Sequence, residues 1–118
     1  MAATAERIDF VSHRALNIAN QGGFSSELTV NFKVFRRGPA HVAGLIFTTD
    51  FWITPREALA RFQNFDGDFE IWLAKISVGG NNASFEYVIF CNDHRDNQNV
   101  RKIYNTNFGE TFRVAATF

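Results

Sequence analysis

The 118-residue sequence predicts an all-β fold, a two-sheet antiparallel sandwich of seven or eight strands, and three observations carry that prediction. Leu28, Val30, Phe32 and Val34 alternate with Thr29, Asn31, Lys33 and Phe35, the two-residue period of a half-buried strand. Other short runs of branched and aromatic residues recur at fairly regular spacing, separated by Gln21-Gly22-Gly23, Arg36-Arg37-Gly38-Pro39, Asp66-Gly67 and Gly79-Gly80-Asn81-Asn82, all turn formers. No stretch carries the period of a long helix.

Taken in order, residues 8–12 read as a first strand, while 13–20 are ambiguous between strand and turn. The alternating stretch at 28–34 follows, then a turn at 36–39 and a second apolar run at 42–49. Residues 54–62 are the one place where a helix is arguable. Thr54 can cap it, Pro55 suits the first helical position and Glu57 stands at the third. The segment is too short to be stable alone, so a single helical turn and an extended strand stand as equal alternatives. Strands at 69–76 and 84–92 flank the glycine-rich hairpin, 93–99 is a polar loop, and strands at 100–104 and 111–116 close the chain. The whole of 1–118 is expected to be one domain.

Hydrophobic residues make up 46% and charged residues 20%, a globular composition. Twelve Lys plus Arg balance twelve Asp plus Glu, so no net charge concentrates nucleic acid or an anionic membrane surface, and neither is an expected partner. The single Cys91 cannot form an internal disulfide, and no Cys/His cluster has metal-ligand spacing, so no metal or other cofactor is expected. The first residues lack the apolar core of a secretory signal, and no run reaches membrane-spanning length, so a cytoplasmic protein is expected. Fourteen Phe exceed what a small core takes, which places some rings at the surface or in the interface of a homo-oligomer.

No catalytic residue emerges. His13, His41 and His94 are scattered, and no motif links them to Cys91, which follows Val88-Ile89-Phe90 and reads as a buried thiol. Asp66 and Asp68 flank Gly67 as turn residues, and Gly79-Gly80 has neither the lysine nor the helix of a phosphate loop. What remains is aromatic and amide chemistry, in Asp50-Phe51-Trp52 after one strand and Tyr104-Asn105-Thr106-Asn107 before another. A ring followed by amides and a hydroxyl can stack on a flat polar ligand while hydrogen-bonding around its edge, and sugars are such ligands. A core position is the alternative for Trp52.

The ordered set of motifs from about residue 24 to 114 resembles the family 21 carbohydrate-binding modules. It comprises the strand at 28–34, a strand ending in Thr49-Asp50-Phe51-Trp52, the aromatic Phe62, an acidic turn before 69–76, and Phe85-Glu86-Tyr87-Val88-Ile89-Phe90. It ends in Tyr104-Asn105-Thr106-Asn107-Phe108-Gly109-Glu110-Thr111-Phe112, similar to that family's aromatic and amide-rich ending. The resemblance implies an immunoglobulin-like sandwich without catalytic activity that binds α-glucans. It makes Trp52 and Tyr104 the stacking platform, with Asp50, Asn105, Thr106 and Asn107 as polar partners, and matches Phe62 to a second region that some members use, with a core role as the equal alternative. The chain departs from the pattern at Asn105, where the family usually has Asp, and at Thr111 and Phe112, which replace Asn-Tyr. The turn at 36–39 also lacks an aromatic, and 93–99 is longer than the usual hairpin.

The expectation is therefore a non-catalytic glycan-binding protein, lectin-like or starch-binding, whose partner is an oligosaccharide or polysaccharide. The alternative is a protein-interaction or glycogen-targeting sandwich. A phosphatase-docking motif needs a basic residue before Val-x-Phe, and Val30-Asn31-Phe32 lacks it.

Overall fold

Strand alternation is carried into burial along residues 23–35 and 69–79. The structure is a computed structural model describing residues 7–35, 42–80, 82, 84–93 and 101–118. Its strands are β1 (Ile8–Asn20), β2 (Gly23–Phe35), β3 (Val42–Thr48), β4 (Arg56–Leu59), β5 (Arg61–Asp66), β6 (Phe69–Gly79), β7 (Ser84–Asp93), β8 (Arg101–Asn105) and β9 (Phe112–Ala115). In β2 the buried positions are Ser26, Leu28, Val30, Phe32 and Val34, every second residue, so one face meets the core and the other meets solvent.

The strands form two antiparallel sheets. One has the order β1-β2-β6-β5. The other has the order β4-β3-β7-β8, with β9 also paired to β7. Phe32, Leu45, Phe85, Tyr87 and Ile89 are fully buried in the shared core, and Cys91 is buried with them, as its apolar flank implies. The two-sheet sandwich that the sequence predicts is the observed architecture.

Two readings left open by the sequence are resolved. Residues 13–20 are strand, continuing β1 past a bulge between Phe10 and Ser12 and pairing with β2 as far as Asn20 and Gly23. Residues 54–62 contain no helical turn. Arg56 to Leu59 pair with Gly44 to Phe47 as β4, and the chain then crosses into the other sheet as β5. Ladder bonds to a strand already in place outweigh one turn of helix, whose nucleation is unfavourable. The described residues thus form nine strands rather than seven or eight. The turn at 36–39, His41, His94 and the polar loop that follows Asp93 lie outside the described residues.

Aromatic stacking ties the sheets together at one edge. Phe10 of β1 stacks on Phe112 of β9 with centroids 5.1 Å apart, and Phe112 stacks on Tyr87 of β7 at 5.2 Å. The Tyr87 hydroxyl meets His13 Nδ1 at 2.8 Å. Burial lowers the His13 pKa and raises that of Tyr87, which favours the neutral form of each in this inter-sheet contact.

At the opposite edge, β4 closes onto β3 only because residue 44 is glycine. A Cβ there would stand 2.1 Å from the Ala58 carbonyl oxygen, a backbone atom that cannot step aside. Gly44→Ala is expected to destabilise the fold by about 2 kcal/mol in urea denaturation, the range for overpacking a close contact. Gly79→Ala is the control. A Cβ at Gly79 meets nothing within 4 Å, and its change should stay under about 0.5 kcal/mol.

Candidate functional site

The site is built outward from β7. Its alternation turns Phe85, Tyr87 and Ile89 into the core and leaves Glu86 on the outer face. The register places Glu86 opposite Thr48 of β3 on one side and opposite Arg113 of β9 on the other. Its carboxylate therefore lies between the loop that follows β3, residues 49–55, and the turn that precedes β9, residues 106–111.

Both segments bond to the same oxygen. Glu86 Oε2 accepts the Trp52 indole Nε1–H at 2.9 Å and the Thr111 hydroxyl at 3.1 Å. Arg113 Nε stands 3.6 Å from it as an ion-pair partner. The Glu86 side chain is only 15% exposed, so these donors, more than water, satisfy it.

Short-range bonds shape each segment. Thr48 Oγ1 accepts the backbone N–H of Asp50 and of Trp52, each at 3.1 Å, and donates to Asp50 Oδ1 at 2.6 Å. The Asp50 carboxylate also accepts the Thr54 N–H at 3.1 Å and the Thr54 hydroxyl. In the other segment Asn105 Oδ1 accepts the Asn107 N–H at 3.0 Å, while Asn105 Nδ2 donates to the Ile8 carbonyl at 2.7 Å. Asn107 Nδ2 donates to the Thr111 carbonyl at 2.9 Å, and Thr106 Oγ1 accepts the Gly109 N–H at 3.0 Å.

These bonds hold the backbone where side chains rarely allow it. Among the described residues, the non-glycine positions with positive φ are Phe51 (58°), Trp52 (68°), Asn107 (54°), Phe108 (58°) and Thr111 (61°), and all of them lie in these two segments. Left-handed backbone costs about 1–2 kcal/mol per residue outside glycine, and it concentrates where a surrounding network over-determines it.

Two depressions open on either side of the 106–111 turn. The first, of about 710 Å³, is lined by Trp52, Glu86, Asn107, Glu110, Thr111 and Arg113 among others. The second, of about 660 Å³, includes Tyr104, Asn105, Thr106, Phe10 and Phe112, and Asn107 lines both. Trp52 is half-buried and Tyr104 is 49% exposed. Tyr104 pairs with Phe90, so by register it lies on the same outer face as Glu86 but roughly 13 Å farther along β7.

The two rings thus share a face without sharing a depression, and Asp50, Asn105, Thr106 and Asn107 spend polar atoms on holding the loops that carry them. Phe62 lies elsewhere, on β5 of the other sheet, edge-on to the buried Trp72 with centroids 5.8 Å apart. Glu86 and Arg113 are the members that sequence reasoning missed. The available signal was a lone carboxylate inside the apolar run at 85–90, on the outward side of the alternation. Among the described residues, no group of three His, Cys, Asp or Glu side chains is placed to hold a metal ion.

No family model and no curated protein matches the sequence. Among solved structures, the chain is similar to the solution structure of the carbohydrate-binding module of the muscle glycogen-targeting subunit of protein phosphatase-1. The TM-score is 0.58 at 14% identity, covering 92% of this chain and 74% of that one. What the two share is the fold, a two-sheet antiparallel sandwich. In this chain the outer face of β7 and the loops around it form the candidate site, on the sandwich that the sequence resemblance implied.

The Asp50 carboxyl is held down to about 2, chiefly by the Thr48 hydroxyl, then by the hydroxyl and N–H of Thr54. A depressed carboxyl means that the fold favours the ionised form. Its loop bonds are complete above the ordinary value of 3.8 and are lost as pH falls through about 2. An NMR titration of the Thr54 amide is expected to show its midpoint near 2, and Asp50→Asn should remove that transition.

Proposed function

We propose that the protein is a non-catalytic glycan-binding module, lectin-like or starch-binding, with Trp52 as the principal stacking ring and Tyr104 as a second. The observation that carries this reading is the Trp52 indole, fixed by Glu86 at the rim of a polar depression between two strained loops. An indole whose edge N–H is already bonded presents its apolar face to a ligand without losing rotamer freedom on binding. Arg113, Glu110 and Asn107 border the same depression and supply donors and acceptors for sugar hydroxyls. Asp50, Asn105 and Thr106 act by holding the loops. The similarity to a carbohydrate-binding module supports the same reading, and an α-glucan is the first ligand to test.

A single ring-stacking contact contributes only about 0.5–1.5 kcal/mol beyond area burial, so affinity at one site is expected to be weak. Titration calorimetry with maltoheptaose and glycogen, backed by a glycan array, should show binding that Trp52→Ala weakens about tenfold or more. Tyr104→Ala should weaken long glycans more than short ones, given the distance between the rings. Glu86→Gln, which keeps an acceptor oxygen but loses the charge facing Arg113, should weaken binding less than Glu86→Ala. Full affinity in Trp52→Ala, with native circular dichroism, would sink the platform.

A second reading rests on Phe51 and Phe108, which stand 85% and 102% exposed on the tips of the same two segments. Exposed rings at loop tips suit a protein partner. If wild type binds no glycan on the array, this reading replaces the first.

A further inference from the structure

The strand β5 is the last of its sheet, all six of its residues are exposed, and among the described residues no strand lies along its outer edge. Its sequence, Arg61-Phe62-Gln63-Asn64-Phe65-Asp66, is complementary to its own reversal: rings and amides repeat in place while the terminal cation and anion exchange. A bulge between Phe62 and Asn64 makes this symmetry spatial. Phe62 pairs with Trp72 and Phe65 with Glu70, two buried inward-facing residues, so both rings fall on the inner face, 4.9 Å apart and 44% and 52% exposed. Arg61 and Asp66 pair with Leu73 and Phe69 and fall on the outer face. Without the bulge, the two rings would point to opposite sides of the sheet.

We propose that the protein self-associates through β5, two copies pairing antiparallel about a two-fold axis between Gln63 and Asn64. In that register Arg61 faces Asp66 of the second copy and Phe62 faces its Phe65, each pair occurring twice and each on a single face. Gln63 faces Asn64. The two four-stranded sheets become one sheet of eight. An edge strand is an invitation to pair, and charges at its ends usually refuse it. Here the two charges are of opposite sign and sit symmetrically, so they refuse parallel alignment, which would set Arg61 against Arg61, and accept the two-fold arrangement. Asp66 also lies 3.5 Å from Lys33 Nζ but its side chain remains 69% exposed, which leaves it room for a second cation.

This inference does not depend on glycan binding. The first depression lies on the outer face of β7 and β9 and the second beside the start of β1 and the end of β8, whereas β5 ends the other sheet and lines neither.

Sedimentation of the wild-type chain over a concentration series should move from 13.4 kDa toward twice that mass and stop there. Arg61→Asp and Asp66→Arg, each placing like charges opposite one another, should each lower the association constant about tenfold or more. An equal mixture of these two variants should recover the dimer, because every facing pair is again of opposite sign. That recovery also excludes misfolding as the cause of either loss. Phe62→Ser, which removes the ring that faces Phe65 of the second copy, should be monomeric with native circular dichroism. A wild type that stays at 13.4 kDa, a mixture that does not recover, or growth beyond two copies overturns the proposal. So does a Phe62→Ser variant that still dimerises.

Discussion

One carboxylate oxygen, Oε2 of Glu86, receives a donor from each of the two segments that shape the outer face of the second sheet. The indole N–H of Trp52 arrives from the loop after β3 and the hydroxyl of Thr111 from the turn before β9, with Arg113 close by. A carboxylate that is mostly withdrawn from water needs such donors, and buried donors need an acceptor in return. The arrangement is mutual. It is also placed by the ladder, because the register that sets Glu86 between Thr48 and Arg113 delivers it to the ends of both segments. Strand pairing, loop shape and the direction of the Trp52 ring thus form one sequence of causes.

How much of this could be read beforehand varied with the range of the interaction responsible. The alternation in β2 was plain because every inward side chain from Leu28 to Val34 is large and apolar. The second half of β1 was obscure because its inward positions include Ala15 and Asn17, and a small and a polar residue erase the pattern that a strand normally shows. Asn17 is accommodated by the Ser26 hydroxyl, which donates to its Oδ1, a partner supplied by the neighbouring strand. At 54–62 the capping residues were real local signals, but Gly44 let a strand approach that no local rule foresees. In the site, Trp52 and Tyr104 declared themselves by residue type and position. Glu86 did not, since its partners at 52, 111 and 113 are distant in sequence. Nor does a sequence show that an amide offered to a ligand also closes its own turn, as Asn105 and Asn107 do.

The abundance of phenylalanine resolves into distinct uses. Phe32, Phe47, Phe85 and Phe90 are buried, and Phe112 bridges the sheets between Phe10 and Tyr87. Phe51 and Phe108 stand free on the loop tips. Phe62 and Phe65 form a pair on the terminal strand β5. The exposed rings therefore fall mainly on the two loops that flank Glu86, on the β5 edge and in the Phe24–Phe118 pair, places where large apolar area is available to a partner at little cost in side-chain entropy.

β8 and β9 run along the same edge of β7, with Asn105 opposite Ile89 and Phe112 opposite Tyr87. They behave as one strand interrupted at Val88, where residues 106–111 leave the sheet and return. Each half keeps its own register, so the excursion between them can lengthen, shorten or change composition without shifting a ladder bond. That gives the fold a position at which insertions are tolerated and new recognition surfaces can be tried, by evolution or by an engineer, while the framework stays unaltered.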